Sequence, residues 1–448
     1  MIGKKTRLLL SSFLLMAVLP IHSSAQQHYK SGVSENEVLL RSNTSWNAEK
    51  IATDYPFIKL AENKLTYAGD STALFPFYKK LYSLIATKKR KINVLHIGGS
   101  HVQAGMFTGK MRENLQSMSD SIHGQYGFFF PYKMAHTNSP AEIKTTYTGT
   151  WKSCRAARNG DSCQWGLAAM QTATTDSIAE AIIKVNRKDS SRYLFTSAIV
   201  YHNTSLSGYT IEPQNPEIDS FTTDSTNGFT QLFFSKAIDS LMLKFIKDTN
   251  NRAAKFELQG IQLLNNIEGL TYTAIGANGA SLPTYLRCQL FEKNLATAIP
   301  DLVIFGIGIN DANVPMAEFK AEEYKQNYLT LMRKIRSVNS NVQFIFITNN
   351  DSYFKRKHPN KNALKVREAM IEIGKQEHVV VWDFFSIMGG LNSIRKWETN
   401  KLARPDKIHF TREGYQLKAD LLFDALTNDF KKFIASQKQQ SIDSERMD

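Results

Sequence analysis

Four short stretches of the chain carry residue types that can do chemistry. In Ile97-Gly98-Gly99-Ser100-His101, a serine follows a glycine pair between an apolar run and a helical pattern. A serine on such a turn exposes its hydroxyl, and its N–H lies near a helix start, where developing negative charge is favoured. The plainer role for Ser100 is a helix N-cap, which serine also favours. The second stretch, Asp406-Lys407-Ile408-His409, precedes the last helical pattern. A nucleophilic serine needs a base and a group that orients the base. One loop can supply both here, with the imidazole facing the serine and the carboxylate fixing its tautomer. Alone, that spacing is weak, since Asp and His fall three apart by chance in many chains. Of the ten histidines, only His409 lies at a late strand-to-helix loop with an acid three residues before it. The remaining stretches are Gly276-Ala277-Asn278-Gly279, which can bring a bare backbone N–H close to a substrate, and Gly308-Ile309-Asn310-Asp311, whose Asn310 amide can donate another hydrogen bond. Two or three such donors make an oxyanion hole, although each loop in isolation reads as ordinary turn residues.

Alternating elements must position these loops. Ile92 to Ile97 reads as a buried strand, and Phe107, Met111, Leu115 and Met118 behind it recur at helical spacing. The far half repeats the alternation, with strands at 302–305, 342–347 and 379–382 and helices at 324–335, 364–373 and 415–433. Near-continuous apolar strands separated by helices predict a parallel sheet covered on both faces. From about 130 to 268 the pattern changes to short alternating segments divided by Asn, Asp, Ser and Gly, which predicts a β-sandwich interrupting the α/β domain. Ala179, Ala181, Ile183 and Val185 should share one of its faces. The expected order is a signal peptide (1–25), an irregular extension (26–60), the α/β domain in two parts (61–129 and 269–436), the insert (130–268) between them, and a polar tail (437–448).

Taken in order, strand-Gly-x-Ser, a glycine loop, Gly-x-Asn-Asp, then Asp-x-x-His before the last helix resembles the SGNH (GDSL-type) serine hydrolases. The motifs span residues 97 to 409. The resemblance implies a flavodoxin-like three-layer α/β/α fold with a parallel sheet, interrupted here by the inserted, jelly-roll-like β-sandwich. It casts Ser100 as nucleophile and, through its own N–H, as an oxyanion donor beside the N–H of Gly279 and the amide of Asn310. His409 becomes the general base and Asp406 its orienting partner. The family usually has Asp before the serine, where this chain has Gly99. That aspartate is outside the triad but can support the turn, so weakened activity stays open. A literal Gly69-Asp70-Ser71 also occurs; it follows a poor buried strand, Leu65 to Ala68, and precedes a helix, so Asp70 or Ser71 reads as an N-cap. The implied activity is an exported serine esterase that removes small acyl groups, O-acetyl above all, from a glycan such as peptidoglycan or a polysaccharide. Its partner is then an acylated glycan. Two alternatives remain: a glycan O-acetyltransferase using the same triad, and a glycan-binding protein on a degenerate scaffold, motivated by Gly99.

The rest of the sequence bounds this reading. With 42% hydrophobic and 21% charged residues in 448, the chain is neither disordered nor fibrous. Its longest apolar run, Leu8 to Ile21, falls short of a membrane span; flanked by Lys4, Lys5, Arg7 and Ser23-Ser24-Ala25, it reads as a signal peptide for periplasmic or secreted export. Its removal leaves 52 basic against 41 acidic residues, a formal charge of +11. The basic residues read as scattered apart from Lys88-Lys89-Arg90-Lys91 at a helix end, so weak attraction to anionic walls or glycans is expected, and no nucleic-acid partner. Cys154 and Cys163 are close enough to bridge, Cys288 has no partner, and no spacing reads as zinc. No metal or organic cofactor is called for. Asp311 and Asp383 end strands on the expected active face, where structural hydrogen bonding is the plainer role. Trp151, Trp165, Tyr201 and Tyr209 in the insert could stack on sugars, but core packing is the plainer role for each.

Overall fold

A computed structural model describes residues 40–41, 46–185, 193–203 and 208–445. The expected signal peptide and the first part of the extension lie outside the described residues. Within the extension, expected to be irregular, Ala48–Asp54 is helical, and the Asn47 side chain caps it by accepting from the Lys50 N–H.

One seven-stranded sheet organises the α/β part. Five parallel strands run in the spatial order Gly269–Gly276, Lys91–Gly98, Leu302–Gly306, Gln343–Ile347, Val380–Trp382. Numbered along the chain, that order is 2-1-3-4-5, the flavodoxin-like winding. Side chains alternate between two apolar layers. Ile92, Val94, Ile304 and Trp382 pack to one side, and Leu95, Ile97, Phe305 and Val381 to the other. A strand buried on both faces has no polar phase, which is why these segments read as continuous apolar runs. The short strand Gly124–Gln125 extends one edge in parallel.

Leu65–Tyr67, unpromising as a buried strand, forms the other edge, antiparallel to Val380–Trp382. An edge strand pairs on one side only, so three residues with one buried leucine suffice. The N-cap expected at Asp70 or Ser71 is also corrected. The following helix, Phe75–Thr87, has Leu74 at its N-cap, and the Asp70 carboxylate instead closes a turn by accepting from the Thr72 N–H and hydroxyl. The last helix runs past Phe433, from Arg412 to Glu445.

The chain leaves this sheet to build a β-sandwich of two antiparallel sheets. One has four strands (143–147, 178–185, 240–247 and 209–213); the other is built on 195–202, 218–224, 229–238 and 256–264. In Ile178–Val185 every second residue is buried, with Ala179, Ala181, Ile183 and Val185 facing the space between the sheets. Trp151, Trp165, Tyr201 and Tyr209 are all buried, so none presents a ring to a sugar. Cys154 and Cys163 form a disulfide, and Cys288 is free and buried, its thiol pushed up to about 12 by burial. Among the described residues, no helix is long and apolar enough to cross a membrane.

Candidate active site

The strand Lys91–Gly98 delivers Ser100 to the carboxyl edge of the sheet, where Ser100 begins a four-residue helix capped by Gly99. Strand order reverses between Lys91–Gly98 and its neighbours, the place where open α/β sheets bind ligands. Ser100 Oγ lies 2.8 Å from His409 Nε2, and His409 Nδ1 lies 2.7 Å from Asp406 Oδ2. The residues cast as nucleophile, base and orienter, 309 positions apart at the extremes, therefore form one continuous hydrogen-bonded chain. A carboxylate on Nδ1 leaves Nε2 free to accept the serine proton.

The Asp406–His409 loop is held largely by its own backbone. Asp406 Oδ1 accepts from the N–H groups of Ile408 (3.0 Å) and His409 (2.9 Å), and the Arg404 N–H donates to the His409 carbonyl at 2.8 Å. Burial alone would raise the Asp406 carboxyl, but the donations from His409 and Ile408 outweigh it and hold the carboxyl below its ordinary value. Asp406 is thus an anion beside the imidazole, as an orienter must be.

The other two loops meet across the serine. Gly279 has φ +80°, a conformation that favours glycine, and open space where a Cβ would stand. Asn310 Nδ2 donates to the Ala280 carbonyl at 2.8 Å, and the Leu282 N–H donates to Asp311 Oδ1 at 3.0 Å. Two bonds thus lock the Asn310 loop to the Gly279 loop. Asp311 is half-buried behind them, its carboxyl pushed up to about 7 by desolvation, and its bond to the Leu282 N–H is structural. Asp383 is structural too: it caps the short helix after Trp382 and pairs with Arg367. At Gly99, a Cβ would stand 3.3 Å from Asn310 Nδ2 and 3.4 Å from the Ala280 carbonyl, so a side chain there would press on the bond between those loops. Ser100, Gly279, Asn310 and His409 all line one open cleft of about 770 Å³. Asp70 and Ser71 do not line it.

Known proteins bear on this arrangement. Residues 250–417 match the model of the GDSL-like lipase/acylhydrolase family. A solved peptidoglycan O-acetylesterase is similar over 82% of this chain and 99% of its own, with a TM-score of 0.67 and 21% identity. The carboxyl-terminal part of the chain is thus similar to GDSL-like lipase/acylhydrolases, and the fold is that of the peptidoglycan O-acetylesterase. A lipase/acylhydrolase from Enterococcus faecalis matches 36% of this chain and 77% of its own (20% identity, TM-score 0.27). An acetyl xylan esterase matches 35% and 81% respectively (19% identity, TM-score 0.28). No curated protein matches the sequence. The family match takes in Gly279, Asn310, Asp406 and His409, while Ser100 stands before it on the far side of the sandwich.

Several neighbours of this site were not singled out by the sequence. The His101 ring stacks on His409 (centroids 5.0 Å apart, planes 27° apart), with its Nδ1 2.9 Å from the Tyr415 hydroxyl. Burial, with His409 and Lys418 nearby, depresses its pKa well below the ordinary histidine value, so His101 packs as a neutral ring against the His409 imidazole. Gln103 accepts from the Asn278 N–H at 2.7 Å and donates to the Asn138 carbonyl at 2.8 Å, clasping the loop that carries Gly279. Both residues lie within one helical turn of Ser100, a signal open to a sequence reading. Lys418, buried among Phe107, Phe384 and Phe410, falls three residues after Tyr415 on the apolar stripe of the last helix, a second such signal.

Proposed function

We propose that this protein is an SGNH-type hydrolase that removes O-acetyl groups from a glycan through a Ser100–His409–Asp406 triad and an acyl-enzyme. The observation that carries the reading is the unbroken Ser100 Oγ–His409 Nε2 and His409 Nδ1–Asp406 Oδ2 chain, opening onto a cleft. His409 Nε2 takes the serine proton as Oγ attacks the ester carbonyl. The oxyanion is held by the N–H groups of Ser100 and Gly279 and by the Asn310 amide. Collapse breaks the bond to the sugar oxygen, which leaves with the proton from His409. A water then gives its proton to His409 and attacks the acyl carbon; acetate departs and Ser100 regains its proton.

The glycan half of the proposal draws support from the fold shared with the peptidoglycan O-acetylesterase over nearly the whole of that protein, and from the basic charge of the chain. Export to the periplasm or beyond belongs to the same proposal. The test is acetate release from para-nitrophenyl acetate and from acetylated glycans, native protein against Ser100→Ala. The expected result is turnover that falls on the order of 10⁴-fold or more in the variant. Retained turnover would move the nucleophile elsewhere. Acetyl transfer to an added sugar without acetate release would make the enzyme a transferase, and glycan binding without any turnover would make it a binding protein.

A further inference from the structure

The cleft has one strongly charged wall, and the hydrolytic chemistry does not use it. Two short strands, Tyr353–Phe354 and His358–Pro359, pair as a hairpin whose tip is Lys355-Arg356-Lys357. Lys355 and Arg356 line the cleft that holds Ser100, as do Arg404 and Arg412 from the two ends of the His409 loop. None of these five cations has an ion-pair partner among the described residues. Among the described residues no carboxylate lines the cleft either, since Asp406 is turned into His409.

The hairpin is held in place. The Tyr353 N–H donates to the Lys407 carbonyl at 2.9 Å, the Asn360 N–H to the Ser352 carbonyl at 2.8 Å, and the Asn360 amide to the Ala312 carbonyl at 2.9 Å. Its base is thus tied both to the loop that carries His409 and to the loop that carries Asn310. The tip itself departs from ordinary turn chemistry. Lys355 has φ +49° and Arg356 φ +62°, the left-handed region where Asn and Gly avoid the strain that longer side chains incur. Two cations are therefore kept where neutral residues would fold more easily. Strain held beside a reactive site, with unpaired like charges facing an acid-free cleft, is the pattern of a built recognition element rather than a solvated face.

We infer that the Lys355-Arg356-Lys357 tip, with Arg404 and Arg412, forms an anion subsite that selects acylated glycans carrying carboxylates near the scissile ester. The inference rests on the esterase reading of the site and names its substrate class. An acetyl ester is neutral, so the negative charge that meets this wall belongs to the sugar chain or its substituents. Attraction of this kind raises the encounter rate and orients the chain, and salt screens it.

The test uses one O-acetylated acidic oligosaccharide in two forms, with its carboxylates free and with them amidated. The native enzyme is expected to show a kcat/KM at least about tenfold higher on the free acid, and that preference should shrink as sodium chloride rises. A Lys355→Asn/Arg356→Gly/Lys357→Ser variant removes the charge and relieves the turn, so its melting temperature should equal or exceed the native one. Its acid-to-amide ratio should fall towards one. Equal native rates on both forms would overturn the inference, as would a preference undiminished in the variant. Should neither form be hydrolysed, the esterase reading fails separately, and the dissociation constants of the two forms for Ser100→Ala still decide the subsite.

Discussion

Asn310 carries two amide protons on Nδ2 and commits one to the Ala280 carbonyl. That bond does what a catalytic donor requires: it fixes the amide before substrate arrives, so no reorganisation is needed when charge develops. Asn310→Ala should therefore lower kcat by about 10²–10³ with little change in KM, because the lost interaction belongs to the transition state. Steady-state kinetics on para-nitrophenyl acetate checks this, and a fall of less than tenfold in kcat would remove Asn310 from the oxyanion site. At this scale the sequence was legible where motif and backbone coincide. Ser100 opens the turn after a strand, Gly279 stands at a positive φ, and Asp406 and His409 share one short loop, so each could be picked out locally. Residues joined by packing were hidden. Tyr415 meets His101 across 314 positions, and no spacing rule reports that contact.

Among the elements, the last helix carries the plainest conflict between position and chemistry. Lys418 is 5% exposed, and burial among aromatic rings pushes its ammonium down to about 7. An unfolded lysine titrates near 10.4, so between roughly pH 7 and 10 the unfolded chain binds more protons than the folded one. Stability from this group must then rise with pH across that window, and the full penalty of burying the charge is felt below it. Lys418→Met should stabilise the protein by about 1–3 kcal/mol near pH 6, with the gain fading towards pH 10. Melting temperatures of both proteins at pH 6 and pH 9.5 test the sign, and an equal gain at both values would refute it. The same contrast explains which elements could be read ahead. Strands such as Leu302–Gly306, buried on both faces, announce themselves as apolar runs. The edge strand Leu65–Tyr67 draws its stability from pairing with Val380–Trp382, a partner more than 300 residues away, and carries almost no pattern of its own.

At the scale of the whole molecule, the β-sandwich and the α/β sheet share apolar core. Phe195–His202 is buried on both faces: Ala198 and Val200 point between the sandwich sheets, while Ile199 and Tyr201 join Leu95, Ile97 and Phe305 in the layer beneath the parallel sheet. Phe128 packs its ring against Tyr201 and belongs to that same layer. Arg112, on the helix behind Ser100, pairs with Glu142 and lies over the Tyr126 ring at 4.2 Å. A cut between the two parts would expose a continuous apolar surface, whereas independent domains meet across smaller and more polar interfaces. Urea unfolding should therefore follow one transition, with far-ultraviolet circular dichroism and tryptophan fluorescence coincident. Fluorescence samples both parts, since Trp151 reports on the sandwich core, Trp165 on the shared layer, and Trp382 and Trp397 on the far side of the parallel sheet. A plateau between two steps would mean that the sandwich folds as a separate module, and the shared layer would then be a contact made after folding rather than a core that both parts need.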